Sequence, residues 1–139
     1  MPEKEKQDNP NNNVNQELLL KATIMERQSR ELEQNLQIVD QQIRELNSFS
    51  DSLKSFDSRD DKEIFAPFGK GVYSKATLHE KDLLVNVGAG VFVKKSPNET
   101  IAAIDSQLSQ LKEARRHLSM QLEAYAQNFR SLLAEFKEK

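Results

Sequence analysis

Apolar residues recur along two long stretches of this chain in alternating steps of three and four, and between those stretches the pattern breaks into short β-rich runs. In the first stretch one row of positions reads Leu18, Met25, Leu32, Val39, Leu46 and Leu53. The row alternating with it reads Ala22, Ser29, Leu36, Ile43, Ser50 and Asp57. In the second stretch the rows are Ile101, Leu108, Arg115, Leu122, Phe129 and Phe136, and Ile104, Leu111, Leu118, Tyr125 and Leu132. Spacing of this kind, sustained without a slip, places an apolar stripe on each of two coiled-coil helices. The pattern predicts helices over residues 15–57 and 97–137, with no internal glycine or proline to break them. Ser96-Pro97-Asn98-Glu99 marks the second start: a capping serine, proline at the first helical position, and a glutamate to complete a capping box. At 1.5 Å per residue each helix is roughly 60 Å long.

Equal lengths on either side of a compact middle predict an antiparallel hairpin. If Asp57 lies beside Ile101, Ser29 comes opposite Phe129 and Ala22 opposite Phe136, so small faces large and the seam is filled. The middle, residues 64–95, holds Val72-Tyr73, Leu83-Leu84-Val85-Asn86-Val87 and Val91-Phe92-Val93. All four glycines fall here, and the segment repeats itself: Gly69-Lys70-Gly71-Val72-Tyr73-Ser74-Lys75 matches Gly88-Ala89-Gly90-Val91-Phe92-Val93-Lys94. Each copy follows a short apolar run, so each reads as a β-hairpin with glycines at the turn. The fold class is therefore α+β: a coiled-coil hairpin with two inserted β-hairpins. Such short strands cannot bury a core of their own, and their edges invite strands of other chains.

Composition sharpens this picture. The 139 residues suit one domain, residues 15–139, preceded by a polar tail over residues 1–14 that reads as disordered. Hydrophobic residues make up 37% and charged residues 30%, as expected where helices bury only a seam. A net charge of −2, from 20 basic and 22 acidic residues well mixed, shows no basic face for nucleic acid. The chain has no cysteine, which suits a reducing cytoplasm, and no apolar run near the roughly 18 residues of a membrane span.

Nothing in the pattern points to catalysis, a metal or a cofactor. The two Gly-x-Gly pairs lack the third glycine and the following helix of a nucleotide site. His79 and His117 have no converging partners, and both read as surface residues. Arg115 stands at an apolar seam position; its stem can lie over the seam while its head meets Asp40, or it can fix the helix register.

This layout resembles the prefoldin family. The run from Leu84 to Lys95, LVNVGAGVFVKK, is similar to that family's second hairpin, and APFGKGVY from Ala66 is similar to its first. Two hairpins between the helices point to the α class, since the β class has one. The resemblance covers residues 15–139. It implies a hexamer of two α-class and four β-class subunits whose strands form β-barrels. Its coiled coils hold unfolded clients and pass them to a group II chaperonin, without ATP. The oligomerisation residues are then Val72, Tyr73, Leu84, Val85, Val87, Gly88, Gly90, Val91, Phe92 and Val93. Leu19, Leu20 and Leu133 lie off the seam near the open end and are the expected client contacts, with Phe129 and Phe136 as further candidates. A scaffold or filament built from the same barrel is the alternative function. A helical arm for nucleic acid is disfavoured by charge, and an enzyme by the lack of a concave site.

Overall fold

The computed structural model describes residues 10–138, in the order α1 (Pro10–Ser58), β1 (Glu63–Gly69), β2 (Val72–Thr77), β3 (Leu83–Gly88), β4 (Val91–Lys95) and α2 (Pro97–Glu138). Helix α1 starts earlier than Asn15, so residues 10–14 belong to it and not to a tail; residues 1–9 of the expected tail lie outside the described residues. No glycine or proline between Asn11 and Ser58 breaks the helix.

The chain divides into two compact units. One combines α1 up to Gln41 with α2 from Lys112; the other is the continuous span Gln42–Leu111.

In the first unit the stripes of the two helices face each other. Leu18 is buried, and Met25, Ser29, Leu32, Leu36 and Val39 of α1 and Leu118, Leu122, Tyr125, Phe129 and Leu132 of α2 are half-buried, while most residues between them are exposed. Arg115 meets Asp40, Nε to Oδ1 at 2.5 Å, with its side chain exposed at the rim of the seam. Asp40 is half-buried, but with the guanidinium in solvent the pair contributes little stability, about 0–1 kcal/mol. Ser29 and Phe129 share a level and are both half-buried, and with Met25 and Tyr125 they border a groove of about 370 Å³ that opens beside the seam.

The second unit carries the core. Leu53, Ile104 and Leu108 are buried together, with Ile43, Leu46, Ile101 and Leu83 packed against them. Leu83 opens β3, so the second hairpin is anchored on the helices by its first residue. Ser50, between Leu46 and Leu53 on the same helical face, is buried with no hydrogen-bond partner for its Oγ. Burying a hydroxyl without a partner costs about 1–3 kcal/mol in proteins. Ser50→Ala is therefore expected to raise stability by about 1 kcal/mol, read as a higher denaturation midpoint at unchanged slope. A lower midpoint would show that the hydroxyl is satisfied in solution.

The helix ends in this unit are closed by different devices. At α2, Ser96 Oγ accepts from Glu99 N at 3.1 Å, and Ser96 N donates to Glu99 Oε1 at 3.4 Å. Pro97 is the first helical residue, so the capping box forms where its sequence stands. At α1 no glycine and no basic residue of the last turn is present. Lys81, from the connection between the hairpins, supplies both functions instead. Its ammonium donates to the carbonyl of Asp57 at 2.7 Å and to that of Arg59. A cation on the last carbonyls is favourable because those groups are unpaired and carry the negative end of the helix dipole.

The four strands form two separate two-stranded antiparallel sheets, β1–β2 and β3–β4. Their turns are near copies. Lys70 and Gly71 have φ of 52° and 80°, and Ala89 and Gly90 have 51° and 73°. Two successive residues at positive φ make the tight hairpin turn whose twist matches the strands, which is why glycine holds its second position. Each hairpin also has a register irregularity just before the turn, at Pro67/Gly69 and at Asn86/Gly88.

Candidate assembly and client-binding surfaces

Paired residues on antiparallel strands share a face, so the registers sort each hairpin into two sides. In the first hairpin Ile64 pairs with Ala76 and Ala66 with Ser74, and these four are half-buried. The other face carries Phe65 opposite Lys75 and Pro67 opposite Tyr73, all exposed. The second hairpin repeats the scheme. Leu83 and Val85 are half-buried, opposite Lys95 and Val93, whereas Leu84 opposite Lys94 and Asn86 opposite Phe92 face outward. The corresponding outward sets are therefore Phe65, Tyr73, Lys75 and Leu84, Phe92, Lys94. In both, the lysine reaches a carboxylate: Lys75 to Glu63 at 3.4 Å and Lys94 to Glu80 at 2.5 Å. The hydrogen bond to Glu80 and its charge hold the Lys94 ammonium above its ordinary pKa.

The apolar exposure here is large. Leu84 is 73% exposed and Phe68 75%, and Val72, Tyr73, Val87, Val91, Phe92 and Val93 are exposed as well. Among the residues expected to mediate assembly, only Val85 is half-buried. Gly88 and Gly90 stand at positive φ at the second turn. Each sheet has only two strands, so both edges of each hairpin present unpaired backbone groups. Contiguous exposed apolar surface of this kind is characteristic of interaction sites.

In the other unit, Leu19 and Leu20 are both 61% exposed, Ile24 is exposed, and Leu133 and Phe136 are exposed to lesser degrees. Phe129 is half-buried in the seam, whereas Phe136, placed by its spacing in the same stripe, stands 41% exposed. Sequence reasoning passed over Ile24, although it lies one turn after Leu20 on the same face, and that spacing was a usable signal. It also passed over Phe65 and Phe68, the aromatics of the first apolar run.

The remaining candidate chemistry is sparse. His79 and His117 are exposed, and His117 Nε2 lies 3.4 Å from Glu113 Oε1. Among the described residues no three His, Asp or Glu side chains converge as a metal site, and no helix is long and apolar enough to cross a membrane.

Comparison with known proteins adds an independent line. The family model described as "Prefoldin subunit" matches residues 25–139. A curated protein named prefoldin subunit alpha, from Thermofilum pendens, is 32% identical over 98 residues, covering 67% of this chain and 76% of its own. Prefoldin subunit alpha 1 of Methanocaldococcus jannaschii is 28% identical over 127 residues, covering 90% and 89%. Among solved structures, a filamentous PFD from Methanocaldococcus jannaschii, determined by cryo-EM, superposes with a TM-score of 0.69 at 18% identity, over 82% of this chain and 96% of that one.

Proposed function

This chain belongs to the prefoldin family, and from that premise we propose that it is the α-class subunit of an ATP-independent holdase. The reading rests on one observation above all: apolar surface is exposed in two places of different character. On the hairpins it lies on strands with open edges; in the other unit it lies on helix faces that offer no backbone partner. Strands suit permanent assembly, because edge pairing adds directional hydrogen bonds to apolar burial. Scattered leucines on a helix suit transient capture, because a client without fixed structure presents scattered apolar groups and no shape.

In this reading the hairpins join β-class subunits in an α2β4 hexamer with a β-barrel platform. Leu19, Leu20 and Leu133 then hold unfolded clients, with Phe129 and Phe136 beside them, before transfer to a group II chaperonin in the cytoplasm. Each contact is weak, and several arms acting on one client raise the effective concentration of the next. The family is one of chaperones, not enzymes. Changing Leu19, Leu20 and Leu133 together to serine is expected to reduce suppression of client aggregation, while oligomer size and melting stay near wild type. Light scattering of a denatured client, with the assembled complex carrying either sequence, measures this. Equal protection by the triple variant would remove these leucines from the client surface.

A second reading, a scaffold that forms filaments through the same hairpins, has in its favour the filamentous state of the solved neighbour. Wild-type complex that protects no client, yet sediments as polymers, would favour it.

A further inference from the structure

The two hairpins are near copies, yet they are attached to the helices by different means. Apolar packing anchors the second, since Leu83 at its start packs against the cluster of Leu53, Ile104 and Leu108. Among the described residues, none of the first hairpin joins that cluster. Its inward residues, Ile64, Ala66, Ser74 and Ala76, are only half-buried. Polar contacts hold it instead, gathered where α1 passes into β1 and where β2 leaves for β3. We infer that Lys81 is the positioning residue of the first hairpin: by tying the second connection to the end of α1, it fixes the direction in which Phe65 and Tyr73 are presented for assembly. The inference rests on the reading of the hairpins as the assembly surface and names what aims one of them.

The polar contacts differ in what they join. Within the first connection, Glu63 N donates to Asp61 Oδ1 at 2.9 Å, and Arg59 Nη2 donates to Asp61 Oδ2 and to the Glu63 carbonyl, both at 3.4 Å. These bonds shape the link locally. Leu78 N donates to the Lys62 carbonyl at 2.7 Å, one step beyond the Glu63–Thr77 pair, so it extends the β1–β2 ladder. That bond closes the hairpin on itself and would travel with it if the hairpin swung. Lys81 reaches back to the helix. Its ammonium donates to the carbonyls of Asp57 and Arg59, and an ammonium has donors enough for both. Its neighbour Glu80 meets Lys94 of the second hairpin at 2.5 Å. The connection is thus tied on one side to the anchored hairpin and on the other to the end of α1. A segment with few buried apolar contacts opens at low cost, so the loss of one such tie is felt locally. Presenting both hairpins in fixed directions favours their joint engagement, because less ordering is left for the moment of association.

The chain contains no cysteine, so spin labels can be placed in pairs. One label goes on Asp51→Cys of α1, the other on Lys70→Cys at the first turn or Ala89→Cys at the second; all three positions are exposed. Pulsed dipolar spectroscopy of the full chain, diluted with unlabelled chain, reads the two distance distributions. Lys81→Met keeps the stem and removes the donors. It is expected to broaden the 51–70 distribution at least twofold, to leave 51–89 at its wild-type width, and to weaken association several-fold in sedimentation. Lys81→Arg, which keeps donors, should restore all three readings. An unchanged 51–70 width would overturn the inference. So would equal broadening of both distances, which would make Lys81 a general support of the platform, or association that stays at the wild-type level. Phe65→Thr combined with Tyr73→Thr tests the underlying reading by itself: an intact oligomer there would remove the first hairpin from the assembly surface and overturn the inference with it. A wild-type complex that protects no client would sink the holdase reading and leave the role of Lys81 standing.

Discussion

Leu108→Ala is expected to cost about 2–5 kcal/mol, the range for removing a buried leucine from a well-packed site. The side chain is only 6% exposed and packs with Leu53 and Ile104, inside the ring formed by Ile43, Leu46, Leu83 and Ile101. Truncation removes the apolar contacts of three methylene-sized groups and leaves a void that Leu83, at the start of β3, cannot close without pulling its hairpin. The informative comparison is Leu111→Ala. By spacing, the two leucines are equivalent seam residues. Leu111, however, is half-buried and lines an open groove with Leu46 and Phe49, so solvent already reaches it. Its loss should cost clearly less. Lys112→Ala, on the exposed side, should stay within about 0.5 kcal/mol. Denaturant melts of the same assembly at fixed concentration give the order, since association shifts apparent stability. Equal losses at positions 108 and 111 would mean that the core is distributed evenly along the helices and is not concentrated beneath the hairpins.

The second large effect is on association. Leu84→Thr combined with Phe92→Thr is expected to dissolve the oligomer while leaving helix content unchanged. Both side chains stand on the outward face of the second hairpin, opposite Lys94 and Asn86, and neither belongs to the chain's own core. Buried aromatic and aliphatic anchors at interface centres cost 2 kcal/mol or more each when truncated, so two of them weaken association by roughly 10³-fold. Threonine is β-branched and favours a strand, so the hairpin itself is retained. Sedimentation velocity of the assembled complex reads the result, and far-UV circular dichroism checks the fold. An intact oligomer in the double variant would move the assembly surface to the first hairpin, where Phe65 and Tyr73 hold the corresponding positions.

Much of this was legible in the chain itself because its signals are local and periodic. The three–four rows marked which helical positions turn inward, and nearly all of them are buried or half-buried. The Ser96–Glu99 capping box formed as written, since its four residues need only each other. The duplicated Gly-x-Gly turn specified two hairpins of matching backbone, because positive φ at consecutive residues is a local demand.

What the tertiary structure alone decided depends on neighbours distant in sequence. Lys81 closes the end of α1 across more than twenty residues, and nothing near Ser58 announces it. Leu108 and Leu111 read alike as seam residues, yet burial separates them, because Leu83 and Leu53 arrive over one and a groove runs beside the other. Ser29 read as a small residue facing a ring; that the two border a groove opening beside the seam is visible only with both helices in place. Periodicity specifies the direction in which a side chain points. Whether something fills the space it points into is a matter of volume, and volume is settled only when the partner elements are in place.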